Sequence, residues 1–175
     1  MCRLDETALA PHLRERQYDA IAPQILVEPR LGGTADVIPY DYKFRVFNGR
    51  VEQIGVSTDR LQGAKIAMFD RDWNQLPFAV DHIPREMARL EKPPHIAEML
   101  QAAERLAKPF TFARVNFYDL PEGPRFGEMT LTPASGLMPY EPDEWDARVG
   151  ALLDLSGLDH SAAIRSPSAS ALSRA

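Results

Sequence analysis

Asn48-Gly49 stands between two runs of alternating character, YDYKFRVF and RVEQIGVS. Both central positions of a tight hairpin turn need positive φ, and this dipeptide supplies it cheaply, so the pair predicts two antiparallel strands joined at 48–49. Centring the turn there predicts that Arg45 faces Glu52, Lys43 faces Ile54 and Asp41 faces Val56. The opposite charges of Arg45 and Glu52 favour that register by ~0.2–1 kcal/mol. A chain built on such a hairpin must bury one face of it. With hydrophobic residues at 45% and charged residues at 26% of 175, a core is available and wholesale disorder is excluded.

The rest of the chain reads as strands and helices in mixed order. A weak helical stretch covers Thr7 to Arg16, within a lead over 1–20, and Gln24 to Leu31 (QILVEPRL) predicts a strand closed by Pro29 and Gly32-Gly33. Lys65 to Phe69 extends the sheet. Residues 74–93, with Pro77, Pro84 and Pro93, predict a long ordered loop. Pro94 opens a helix whose apolar positions Ile96, Met99, Leu100, Ala103 and Leu106 keep helical spacing up to Pro109. Phe110–Tyr118 and Arg125–Thr132 predict a second hairpin across DLPEGP. Pro142-Asp143-Glu144 begin a last helix running to about Leu155, with acidic residues in its first turn. The small polar residues of 156–175 predict a disordered tail. The expected fold is α+β, with a mainly antiparallel sheet and flanking helices, in one unit over 21–155.

Several function classes fall away. Twenty basic against 25 acidic residues leave a net charge of −5, unlike the basic stripe of a nucleic-acid binder. No apolar run approaches a membrane span, the N-terminus is unlike a signal peptide, and the sole cysteine, Cys2, permits no internal disulfide; a cytoplasmic location is expected. The four histidines (His12, His82, His95, His160) lack the spacing of a metal pair. Neither a phosphate-binding GxxxxGK[ST] loop nor GxGxxG occurs, and Ser135, in TPASG, reads as a turn residue. Trp73 reads as a loop residue packed on the core.

Chemistry concentrates in the second hairpin. Strand side chains alternate, so Arg114, Asn116 and Tyr118 share a face. A turn near Glu122 sets Arg114 against Thr130, Asn116 against Glu128 and Tyr118 against Phe126. A guanidinium, an amide oxygen, a carboxylate and a hydroxyl on one patch suit Mg²⁺ carrying phosphate. That ion takes oxygen ligands, often one or two carboxylates plus phosphate oxygens, while arginine forks onto phosphate. The plain alternative is a hairpin's solvated face.

The ordered segments RERQYDAIAPQILVE, DYKFRVFNGRVEQIGVSTDR, DWNQLPF, KPPHIAEMLQAAERLAKPFTFARVNFYD, FGEMTLTPASG and YEPDEWDARVG resemble TupA-like ATP-grasp proteins over roughly Arg14 to Leu155. That family is named for teichuronopeptide synthesis and is tied to cell-surface polysaccharides. The resemblance implies the C-terminal subdomain of the ATP-grasp fold, ATP and Mg²⁺ as cofactors, and carboxylate–amine ligation. It implies that Val27 and Glu28 form the adenine-side hinge and that Asp41 lies near the ribose. Arg114 would contact the transferred phosphoryl group, and Asn116, Glu128 and Thr130 would hold the metal. Lys43 and Arg60 follow as weaker contacts to phosphate or substrate. Asn116 stands where the family pattern has aspartate, removing one negative charge, and Thr130 stands where the wider superfamily has asparagine.

ATP-grasp enzymes clasp ATP between two subdomains, and the chain is expected to begin about where the second begins. Its four lysines, Lys43, Lys65, Lys92 and Lys108, are few for the first. The implied function is therefore the nucleotide- and Mg-binding half of a ligase-like protein. It would act on a carboxylate- or sugar-containing substrate, with a partner chain or second copy covering the open clamp face. The competing readings are a truncated non-catalytic remnant or binding module, and a glycosyltransferase-associated polysaccharide protein.

Overall fold

The computed structural model describes residues 24–25, 27–29, 31, 39–58 and 63–157. The expected lead over 1–20, Arg60, and the tail beyond 157 lie outside the described residues.

Seven strands and two helices follow in the order β1 (Asp41–Phe47), β2 (Arg50–Thr58), β3 (Lys65–Phe69), β4 (Ala79–Val80), α1 (Ile96–Ala107), β5 (Phe112–Leu120), β6 (Gly123–Thr130), β7 (Tyr140–Glu141) and α2 (Glu144–Gly150). Five of the strands form an antiparallel sheet in the order β3-β2-β1-β5-β6, while β4 and β7 pair separately. The α+β expectation holds, with both hairpins inside the main sheet.

Asn48 and Gly49 turn the first hairpin at φ 47° and 84°. Phe47 faces Arg50 and Val46 faces Val51, the register the turn dictates. A bulge between Arg45 and Val46 then shifts the ladder by one residue. Beyond it Arg45 faces Gln53, Lys43 faces Gly55 and Asp41 faces Ser57, which corrects all three pairings expected from the turn. The anticipated Arg45–Glu52 ion pair is absent. Glu52 bonds Arg50 instead, and Arg45 is only 2% exposed.

One face of the sheet buries Tyr42, Phe44, Val46, Ile54, Val56, Val115 and Phe117 against Ile96, Met99, Ala103 and Ala107 of α1. The helix is pinned there by Glu104, whose Oε1 accepts from the backbone N–H of Val51 at 3.0 Å and from Arg71. The buried spacing of three, four and four carries the stripe onto Ala107 and leaves Leu106 41% exposed, correcting its expected core place. Trp73 stacks on Phe69 at 4.2 Å and donates its indole N–H to the Leu90 carbonyl, the core role expected of it.

Among the described residues the opposite face is covered only in part. Ile66 and Met68 of β3 meet Phe78, Val80, Met138, Tyr140 and Trp145 around the small β4–β7 sheet. The segment 74–93 is thus no plain loop, since it contributes β4. The expected strand over 24–31 is not found: its described residues have no regular structure, and Ile25 and Val27 are 68% and 86% exposed. Pro29 has no N–H to give a ladder, and the main sheet ends at β6 on that side. Helix α2 stops at Gly150, short of Leu155, and β5 and β6 are Phe112–Leu120 and Gly123–Thr130 where Phe110–Tyr118 and Arg125–Thr132 were expected.

Candidate functional site

Two adjacent strands build the polar cluster. Across the β5–β6 ladder Arg114 faces Thr130, as the alternation predicts, because the two strands stay in step at that end. The register slips between Val115 and Phe117, so Tyr118 faces Arg125 and not Phe126. A two-residue turn at Pro121-Glu122 closes the ladder one position out of step with the far end, and the bulge absorbs the difference.

The bulge leaves Asn116 and Glu128 side by side. Arg114 Nη2 donates to Glu128 Oε1 at 2.7 Å and to Thr130 Oγ1 at 2.9 Å. Asn116 Nδ2 donates to the same Glu128 oxygen at 3.2 Å. Asn116 is buried, and its Oδ1 has no hydrogen-bond partner. Arg114 Nε is likewise buried and unpartnered. The Glu128 side chain remains 58% exposed, so the cluster opens to solvent on one side.

On β1, which pairs with β5, Asp41 faces Tyr118 and Lys43 faces Asn116. Asp41 is buried; its Oδ2 accepts from Lys43 Nζ, while its Oδ1 has no partner. A buried polar atom with nothing to bond costs roughly 1–3 kcal/mol, and two such oxygens belong to residues lining one region.

That region is a cavity of about 570 Å³, and its wall includes Val27, Glu28, Asp41, Asn116, Arg125 and Glu128. Most of the expected site residues are thereby brought together: Val27, Glu28, Asp41, Asn116 and Glu128 share one wall. Arg114, Thr130 and Lys43 are not part of that wall; Arg114 links Thr130 to Glu128, and Lys43 bonds Asp41. Arg60 lies outside the described residues. Tyr118 and Phe126, placed on this patch by the strand alternation, line the cavity too, and Arg125 was missed. Arg125 joins the wall because the slipped register sets it opposite Tyr118, which no residue pattern announces; Phe126, 51% exposed, also lines the cavity. Gly127 keeps this floor flat, since a Cβ there would sit 3.2 Å from the Tyr118 ring and 3.3 Å from the Asn116 carbonyl oxygen.

The donor set constrains what the site holds. Among the described residues no three of His, Cys, Asp and Glu gather as a metal site. One carboxylate, one orphaned amide oxygen and a hydroxyl therefore fit a divalent ion only when it brings its own phosphate oxygens, as magnesium does with a nucleotide. The two described histidines pair elsewhere, His95 Nδ1 with Asp119 at 2.5 Å and His82 Nδ1 with Glu141 at 2.6 Å.

Comparison with curated proteins and with solved structures gives no match. A family model described as TupA-like ATPgrasp matches residues 6–154, most of the chain. The chain belongs to the TupA-like ATP-grasp family.

Proposed function

We propose that the 570 Å³ cavity binds Mg·ATP and that the chain is the nucleotide-holding half of an ATP-dependent carboxylate–amine ligase-like protein in cell-surface polysaccharide synthesis. The observation that carries the reading is the common wall of Val27, Glu28, Asp41, Asn116 and Glu128, residues drawn from three separate parts of the chain. In this reading the antiparallel sheet with α1 behind it plays the part of the C-terminal ATP-grasp subdomain. Glu28 and Asp41 hold the adenosine, with Val27 against the base. Glu128 and the free Oδ1 of Asn116 hold the metal, with Thr130 beside them. When bound, the metal neutralises charge on the phosphates.

Arg114 is already oriented by Glu128 and Thr130, and its fork meets negative charge growing on the transferred phosphoryl group. Lys43 and Arg60 add cationic charge toward phosphate or substrate, and Arg125 adds another on the outer wall. The exposed Val27 and Phe126 at the cavity suit a partner chain or second copy closing over the nucleotide. A cytoplasmic location follows from the use of ATP; no helix among the described residues is long and apolar enough to cross a membrane.

Asn116 favours a second reading, a binding module without turnover, because an amide attracts Mg²⁺ less than the carboxylate it replaces. Thermal unfolding separates these from no binding at all. A ligand at a hundred times its Kd stabilises by about 2.7 kcal/mol, so Mg·ATP should raise the melting temperature and ATP with a chelator should raise it less. ADP release then distinguishes ligase from module. An unchanged melting temperature with saturating Mg·ATP removes the proposal.

A further inference from the structure

A second cavity, of about 360 Å³, lies on the same face of the sheet, between the main sheet and the segment from Leu131 to Leu153. Its wall is mostly apolar, including Phe47, Phe112, Leu131, Met138 and Leu153, and it contains one cation, Arg45. Arg45 is 2% exposed, and among the described residues its two terminal nitrogens hydrogen-bond only to sulfurs, Met68 Sδ at 3.5 Å and Met138 Sδ at 3.4 Å. Among the described residues no carboxylate pairs with it. Thioethers are weak acceptors, so a guanidinium is held out of water with only weak hydrogen-bond partners.

The surroundings are arranged to keep it there. Gly55 has no Cβ, and one built at that position would lie 3.1 Å from Arg45 Nη1. The bulge after Arg45 is what turns it away from Glu52. Burial pulls its pKa down, and Arg114, its neighbour across β1 and β5, pulls in the same direction, while Tyr140 and Asp81 oppose them. A position that only needed filling would be better served by methionine or leucine.

We propose that this cavity binds a small carboxylate with an apolar body, its carboxylate on Arg45. The size suits it: at ~30 Å³ for each water-sized group, the cavity takes about a dozen heavy atoms. A single guanidinium matches one monoanion in two parallel hydrogen bonds. Asp146, exposed on the same wall, opposes a dianion more than a monoanion, so a carboxylate is favoured over phosphate. The inference stands on this cavity alone, and not on the nucleotide reading.

The test uses the full chain without nucleotide, following Trp145 fluorescence or calorimetric heat. The probes are 4-methylpentanoate, its neutral isostere 4-methylpentanamide, and inorganic phosphate. The carboxylate should bind saturably and the amide about ten- to a hundredfold more weakly, the effect of a charged hydrogen bond. Arg45→Met should abolish the difference between acid and amide. Leu153→Trp, which leaves the guanidinium in place, should block the acid by filling the cavity, so the idea stays testable should Arg45→Met fail to fold. No saturable binding of the acid, equal binding of acid and amide, or binding of phosphate in preference to the acid would each overturn it. The absence of any effect of Mg·ATP bears on the other cavity only.

Discussion

Asn116 donates its Nδ2 to Glu128 Oε1 at 3.2 Å while its own Oδ1, buried beside it, bonds nothing. The amide therefore has a dual character that an aspartate would lack. It ties β5 to β6 across the bulge while leaving its own oxygen without a partner.

Replacing this residue tests that division. Asn116→Asp removes a donor and sets two carboxylates together, so the ligand-free chain should lose about 0.5–1.5 kcal/mol of unfolding free energy. In the same variant Mg·ATP should bind more tightly and depend more steeply on Mg²⁺, since a second negative charge faces the metal. Denaturant unfolding and calorimetry read the two effects separately. A variant that is more stable without ligand, or that binds Mg·ATP less well, contradicts the account.

Arg45→Met should leave the chain at least as stable as the parent, and more stable by about 1 kcal/mol or more. Replacing poorly compensated buried charge with apolar volume is often neutral or stabilising. Met68 and Met138 already line the place the new side chain would occupy. A fall in the urea midpoint equivalent to more than ~1 kcal/mol, with unchanged slope, would mean that Arg45 is a structural keystone after all.

Glu104 predicts acid sensitivity of the α1–β2 contact. Burial raises its pKa, but hydrogen bonds from Arg71 and from the Val51 N–H outweigh that, and the net shift is downward. A carboxylate depressed in the folded state contributes stability that is present above its unfolded value, about 4.3, and is lost as pH falls through the folded value. Glu104→Gln should therefore lower the melting temperature near pH 7 and make little difference near pH 3. A gap between the two proteins that stays constant over that range would contradict the assignment.

Much of this architecture was legible because the pattern carrying it is local. Alternation in FARVNFY and FGEMT sets Arg114, Asn116, Glu128 and Thr130 on one face whatever the rest of the chain does, and the helical stripe from Ile96 to Ala103 is equally self-contained. What was not legible depends on events between strands. Asn48-Gly49 fixes the register only as far as Val46, and the attractive charge pair Arg45–Glu52 suggested that it ran on. The bulge instead sent Arg45 into the interior, where Gly55 makes room for it. The same effect, in the second hairpin, placed Arg125 opposite Tyr118 and added it to the 570 Å³ cavity. β4 and β7, of two residues each, are too short to leave a period, and Ile25 and Val27 looked like strand although no neighbouring strand takes up their backbone.

In the proposed function Glu128 and Asn116 face one bound cation with its nucleotide. Calorimetric titration of Mg·ATP into the chain and into Glu128→Gln, side by side, tests it most directly. Glu128 is more than half exposed, so the substitution should leave the fold intact. The account predicts saturable binding to the parent and affinity weaker by about tenfold or more in the variant, with binding of ATP in chelator nearly equal for both. Equal Mg·ATP affinity in the two proteins, or no heat of binding in a folded parent, would contradict it.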